Sequence, residues 1–226
     1  MTRVLIWDLP TRLFHMLLSA GFIAAAVIAP LLGEDSTLFP YHSIIGLTSG
    51  LMVLLRVVWG VGGSRYARFG TFVFGPGAVI AYMKGVLSRD GKRYLGHNPG
   101  SAYAIFAMLG LVLAMGVTGI MLGLGNESVK EIHEILSYVT VGVVIAHILG
   151  VALHTIRHRE NIIASMIHGK KDAEPSDGIR SARPIVAIVF VAIAGTWAFG
   201  LVRNFDAATQ TTTLPLIGTT LRMGEA

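Results

Sequence analysis

The chain has 226 residues, of which 53% are hydrophobic and only 14% charged, against roughly 25% charged in a soluble domain. It contains no cysteine, which excludes disulfides, thiolate-held iron–sulfur clusters and haem attached through Cys-x-x-Cys-His. The formal net charge of +5 would suit nucleic acid only on a soluble basic surface, and the basic residues here border apolar runs.

A membrane helix needs about 20 mostly apolar residues, because the hydrocarbon core is about 30 Å thick. The first such run covers 13–32. Arg3, Arg12 and Ala24-Ala25-Ala26 give it some look of a signal peptide, but it exceeds the usual core of roughly 7–15 residues and is read as a span. The second run, 41–62, follows Pro40. The third, 101–124, follows Asn98-Pro99-Gly100. The fourth, 131–155, is preceded by Ser128 and Glu131 at capping-box spacing. The fifth, 184–203, opens on Pro184, and prolines suit a first turn. Gly33 and Gly125 fall where helices end.

Between the second and third spans, Val79, Tyr82, Met83, Val86 and Leu87 recur at helical spacing, which predicts a short interfacial helix within the loop 64–98. The polar stretch 172–183 reads as a linker, and 204–226 as a tail too short to form a domain. Arg65, Arg68, Lys84, Arg89, Lys92 and Arg93 oppose only Asp90 in the second connection, and Arg157, Arg159, Lys170, Lys171, Arg180 and Arg183 follow the fourth span. The first connection carries Glu34 and Asp35 without a base, and the third has Lys130 beside Glu127 and Glu131. Basic loops stay cytoplasmic. The expectation is a cytoplasmic N-terminus, a periplasmic C-terminus, and basic residues that meet lipid headgroups rather than nucleic acid.

Ionisable residues inside spans are costly and need an account. His15 lies near the inner end of the first span, and His42 at the outer start of the second. His133 lies at the outer start of the fourth, with His147 deeper in the same helix. His147 follows His133 by 14 residues, about 21 Å along a helix and within about 40° of the same face. One helix thus presents two imidazoles near opposite surfaces, with His42 at the depth of His133 and His15 at that of His147. Arg56 follows His42 by 14 residues on the same face. It needs an anion, and no span supplies an acid at that depth, so a haem propionate is the expected partner. Gly46 and Gly50 leave the His42 face flat enough for a porphyrin.

Two imidazoles at one depth are what six-coordinate haem iron requires. Closing both axial positions favours electron transfer over oxygen activation. A histidine-lined metal or proton pathway would add acids or broken helices at the midplane, and none is visible. His154, seven residues after His147, is an alternative inner ligand. His97, His158 and His168 fall in loops and read as solvated. Met108, Met115 and Met121 read as packing residues.

The opening Trp7-Asp8-Leu9-Pro10-Thr11-Arg12-Leu13-Phe14-His15 resembles the start of the prokaryotic cytochrome b561 family, which includes the b-type cytochrome subunit of membrane nickel–iron hydrogenases. So do His42 with Gly46 and Arg56, Trp59-Gly60, Ser64-Arg65-Tyr66-Ala67-Arg68-Phe69, Gly96-His97-Asn98-Pro99-Gly100, Glu131-Ile132-His133-Glu134 and His158-Arg159-Glu160-Asn161. The resemblance covers about residues 3–171. It implies an all-α integral membrane protein: a four-helix bundle, 1–171, holding two non-covalent b haems, here with a fifth helix added. It suggests His15 with His147 on the inner haem and His42 with His133 on the outer. The expected function is electron transfer in the bacterial inner membrane between a periplasmic redox protein, a cytochrome c or a hydrogenase, and quinone. A stand-alone quinone-reducing enzyme such as a superoxide oxidase is the second reading, and a haem-free transporter or anchor the third. The fifth span and tail depart from the family's four-helix pattern.

Overall fold

The computed structural model describes residues 2–33, 35–88 and 92–224. Glu34, Arg89 and Asp90, used in the charge argument, and the side chains of Leu87 and His158 lie outside the described residues. Among the described residues seven α-helices follow in order: α1 (Leu9–Val27), α2 (Phe39–Gly62), α3 (Pro76–Ser88), α4 (Pro99–Gly123), α5 (Lys130–His158), α6 (Ile162–His168) and α7 (Pro184–Arg203). Five stretches are long and apolar enough to cross a membrane: Leu9–Leu32, Phe39–Gly62, Pro99–Gly123, Glu127–Arg157 and Pro184–Arg203. The chain is therefore an all-α integral membrane protein with five spans, as expected. The first span is α1 continued by a wider turn, Ile28–Leu32.

The helix ends have local causes. α1 starts ahead of its apolar run because Asp8 Oδ1 accepts from Thr11 N at 2.9 Å, an N-cap bond, while Pro10 sits where its missing N–H costs nothing. Asn98 caps α4 the same way, accepting from Ser101 N at 2.8 Å. Gly33 and Gly125 adopt φ of +80° and +87°, the left-handed region where glycine ends a helix without strain. At Ser128 the observed cap differs from the expected capping box. Asn126 Oδ1 takes both the Ser128 amide at 3.2 Å and its hydroxyl at 2.6 Å, so a short turn over Glu127–Val129 leads into α5.

The chain divides into two compact units. The first comprises Met1–Leu13, Arg56–Gly110 and Thr140–Ala187. Here the segment expected as a linker begins in an ordered clasp. Strand β1 (Thr2–Leu5) pairs antiparallel with β2 (Lys170–Ala173), Thr2 opposite Ala173 and Leu5 opposite Lys170. Ile6 N and Trp7 N both donate to Gly169 O, at 2.8 and 3.0 Å, and Arg12 donates to Ile167 O. Gly169 has φ of +81°, and a Cβ there would lie 2.8 Å from Trp7 O, so only glycine permits this approach. His97 is not solvated as expected. Its ring lies 4.7 Å from that of Trp7 and 4.5 Å from that of Phe72.

An ion network locks the clasp. Lys171 Nζ lies 3.2 Å from Glu160 Oε1, and Arg93 Nε lies 3.3 Å from Glu160 Oε2. Burial pushes the Glu160 carboxyl up, but Lys171 and Arg93 together more than offset this and hold it below the usual carboxylate range. A depressed folded pKa contributes stability that is complete above the unfolded value and is lost as pH falls through the folded one. Glu160→Gln leaves the buried Lys171 ammonium without its carboxylate. It should loosen β1 by about 2 kcal/mol, roughly thirty-fold in local opening. Hydrogen exchange of the β1–β2 amides at neutral pH checks this, and unchanged protection would dismiss the lock.

The second unit comprises Phe14–Leu55, Leu111–Val139 and Ile188–Ala226. Its core of Ile44, Leu201, Leu214, Leu221 and Met223 is flanked by Leu47, Ile120, Trp197 and Phe205. The tail thus supplies part of the core. Strands β3 (Thr211–Thr213) and β4 (Thr220–Arg222) form an antiparallel hairpin. Thr212 Oγ1 donates to Leu201 O at 2.8 Å, and Ser43 Oγ to Met223 O at 3.1 Å. A Cβ on Gly123 would meet Leu221 Cβ at 3.1 Å, so the close approach of α4 to β4 requires a small residue.

Candidate functional site

The second unit brings His42 and His133 together. Their ring centres are 6.4 Å apart with planes at 76°. Two imidazoles facing one metal across bonds of about 2.0 Å have ring centres roughly 6 Å apart. Each ring is oriented from behind. His42 Nδ1 lies 3.0 Å from Ala25 O, and a carbonyl can only accept, so Nδ1 carries the proton. His133 Nδ1 lies 2.8 Å from Thr118 Oγ1. That hydroxyl already donates back to Ala114 O and Met115 O, at 3.0 and 3.1 Å, so it accepts from the imidazole. Both rings thereby keep Nε2 unprotonated, the tautomer a metal ligand needs. Phe39 stacks on His42 at 5.5 Å. Cβ atoms added at Gly46 and Gly50 would meet nothing within 4 Å, so the α2 face below His42 stays open for a flat ligand.

Thr118 and the Ala25 carbonyl were absent from the reading of the sequence. A signal existed for Thr118, the only hydroxyl in the part of α4 that follows Tyr103. A main-chain carbonyl on another helix leaves no trace in a sequence.

The first unit holds Arg56, which is 4% exposed. Its Nη2 donates to Ala67 O at 3.0 Å, and the guanidinium lies 4.8 Å over the Phe69 ring. The expectation that no acid accompanies it needs correction. Asp8, 1% exposed, acts on Arg56 electrostatically. Its Oδ1 caps α1, and its Oδ2 accepts from Trp59 Nε1 at 3.0 Å. Asp8 precedes α1 by one residue, so counting acids within spans passed over it. Arg56 Nη1 is buried with no hydrogen-bond partner among the described residues, which leaves one donor for a further anion.

His154 is buried, with Nδ1 3.1 Å from the Tyr82 hydroxyl of α3. The interfacial helix is thus pinned through Tyr82 and the buried Val86, while Met83 is exposed. His147 lies half-buried on α5 in the first unit, and His15 is exposed on α1 in the second.

Among the described residues no three or more His, Cys, Asp or Glu side chains gather to hold a bare metal ion. Haem iron needs only two protein ligands, since the porphyrin supplies the other four. In the second unit the paired imidazoles and the open glycine face fit that group; in the first, the spare buried Arg56 donor suits an anion such as a propionate.

The family model described as prokaryotic cytochrome b561 matches residues 6–169. A probable Ni/Fe-hydrogenase B-type cytochrome subunit of Rhizobium leguminosarum bv. viciae is 26% identical over 211 residues, spanning 74% of this chain and 88% of the relative. Its counterpart from Bradyrhizobium diazoefficiens is 25% identical, spanning 74% and 85%. That from Azotobacter vinelandii is 26% identical, spanning 74% and 88%. No solved structure matches the chain. With its five spans, its paired imidazoles and a match that takes in the whole opening motif, the chain belongs to the prokaryotic cytochrome b561 family of haem-binding, membrane-spanning electron-transport proteins.

Proposed function

We propose that this protein carries electrons across the bacterial inner membrane between a periplasmic redox protein and the quinone pool, through two non-covalent b haems. The observation that carries the proposal is the His42–His133 pair, each ring held through Nδ1 with Nε2 left for a metal. His42 and His133 would hold the outer haem, and His15 and His147 the inner one. Bound there, haem supplies one-electron redox chemistry at iron. The protein's residues set ligand tautomer, charge and access.

The orientation follows from the basic connections, which would lie on the cytoplasmic side. On the periplasmic side, the loops 33–38 and 124–134 carry more acids than bases, and the tail 203–226 carries equal numbers. An acidic surface repels a small anion such as superoxide and steers in a protein with a basic docking patch. This favours the carrier over a superoxide-oxidising enzyme. The hydrogenase named in the relatives' descriptions is the first partner to try, and a periplasmic cytochrome c the second.

Reconstitution tests the direction-spanning role. Purified protein in liposomes with quinol in the bilayer should reduce an impermeant acceptor at the periplasmic face, and His133→Ala should abolish most of that flux. Equal flux in the variant would remove the outer haem from the route. Fast superoxide-dependent quinone reduction by the isolated chain would favour the enzyme reading.

A further inference from the structure

The tail does not lead away from α7 but turns back against it. A Cβ placed on Gly200 would meet Pro215 Cγ at 2.7 Å, so Pro215 lies directly against that backbone. Gly200 precedes Arg203, the last residue of α7, by three positions, about 4.5 Å along the axis. Pro215 therefore sits beside the apolar part of the span, below the charge that marks its end. The same turns of α7 expose Phe199 by 64% and Val202 by 48%, side chains that a spanning helix presents to lipid.

The turn that follows is fixed in place. Leu214 is buried, Leu214 N donates to Thr219 O at 2.8 Å, and Gly218 N donates to Leu214 O at 3.0 Å. Between these bonds Leu216 and Ile217 point away from the protein, 103% and 65% exposed. Leu216 holds φ of +67°, a left-handed conformation that glycine or asparagine would occupy with less strain. Here the chain keeps a large, exposed apolar side chain at a position that disfavours one, next to the proline that packs on α7. Arg203 and Arg222, both exposed, flank the turn in sequence with charges suited to lipid phosphates.

We propose that the hairpin tip, Leu216 and Ile217, inserts into the leaflet at the C-terminal end of α7 and anchors the tail to the bilayer. The occupant of this apolar surface is lipid acyl chain. The anchor would hold the β3–β4 hairpin against α2 and α4, whose residues Ser43 and Gly123 it contacts.

The absence of native cysteine makes the test direct. Leu216→Cys, Ile217→Cys and a control, Ala208→Cys in the exposed turn before β3, are spin-labelled in the full chain. Each is placed in liposomes of phosphatidylethanolamine and phosphatidylglycerol, and collision with oxygen is compared with collision with a water-soluble nickel chelate. Insertion requires oxygen to prevail several-fold at positions 216 and 217, with the order reversed at 208. Nickel access at 216 and 217 equal to that at 208 places the tip in water and overturns the proposal. Protection from both reagents means that protein, a second copy of the chain, covers the tip, and overturns it equally.

Discussion

His147→Ala is expected to lose the inner haem, or to leave it high-spin, while the outer haem survives. His154→Ala should retain both haems low-spin. The two residues share a face of α5 and differ by about 10.5 Å along it. His147 lies within the apolar run, where a porphyrin can be buried, and His154 lies where Arg157 and His158 mark the span's end. The structure adds a second reason. His154 is buried against Tyr82, so its ring fastens α3 to α5. Removing it leaves the Tyr82 hydroxyl without that partner, at about 1–3 kcal/mol, a cost in stability rather than a lost ligand. Electron paramagnetic resonance of the two variants separates the roles. A high-spin signal from the His154 variant alone would transfer the ligand assignment to it.

The second large effect belongs to Arg56 and Asp8. Arg56→Leu removes a buried positive charge. Losing it favours ferric over ferrous iron, so the inner potential should fall. Asp8→Asn removes a buried negative charge from the same cluster, and the inner potential should rise. A unit charge felt over about 10 Å at an effective dielectric constant of about 20 amounts to about 1.7 kcal/mol, or roughly 70 mV. Both variants also remove a hydrogen-bonded buried group, the Arg56 bond to Ala67 O or part of the Asp8 bonds to Thr11 and Trp59, so both should unfold more readily. A purely structural role would move stability alone, or shift the potential in one direction for both. Redox titration showing opposite shifts at the inner haem and little at the outer one is the expected result. Shifts of the same sign would show that the cluster does not act through its charge.

Much of this was legible in the sequence because membrane spans obey a simple constraint. Apolar runs of fixed length, ended by glycine and opened by proline or a small polar cap, located all five spans. The His42–His133 pairing was legible for a related reason. Helices that cross one slab share a depth scale, so counting residues from their ends brought two imidazoles to one level. What escaped depends on chain segments that meet across long separations. Thr2 opposes Ala173, yet 170–173 reads as Lys-Lys-Asp-Ala, a charged sequence with no strand pattern. Lys171 was expected to face lipid headgroups and is buried against Glu160. The β3–β4 hairpin escaped for similar reasons, since three-residue strands carry too little alternation to register. Asp8 escaped because it caps a helix from outside, and depth counting began at the apolar run. Ser128 misled because Asn126, two residues before it, takes its amide and its hydroxyl.

The central claim is that one chain holds two haems, each between two histidines. Acid–acetone extraction and haem quantification of the purified protein, with electron paramagnetic resonance of the oxidised form, test it most directly. Two extractable haems per chain and two low-spin ferric signals are expected, of which one vanishes in His133→Ala and the other in His147→Ala. A single haem per chain, haem that stays with the polypeptide, or a native high-spin signal would contradict it.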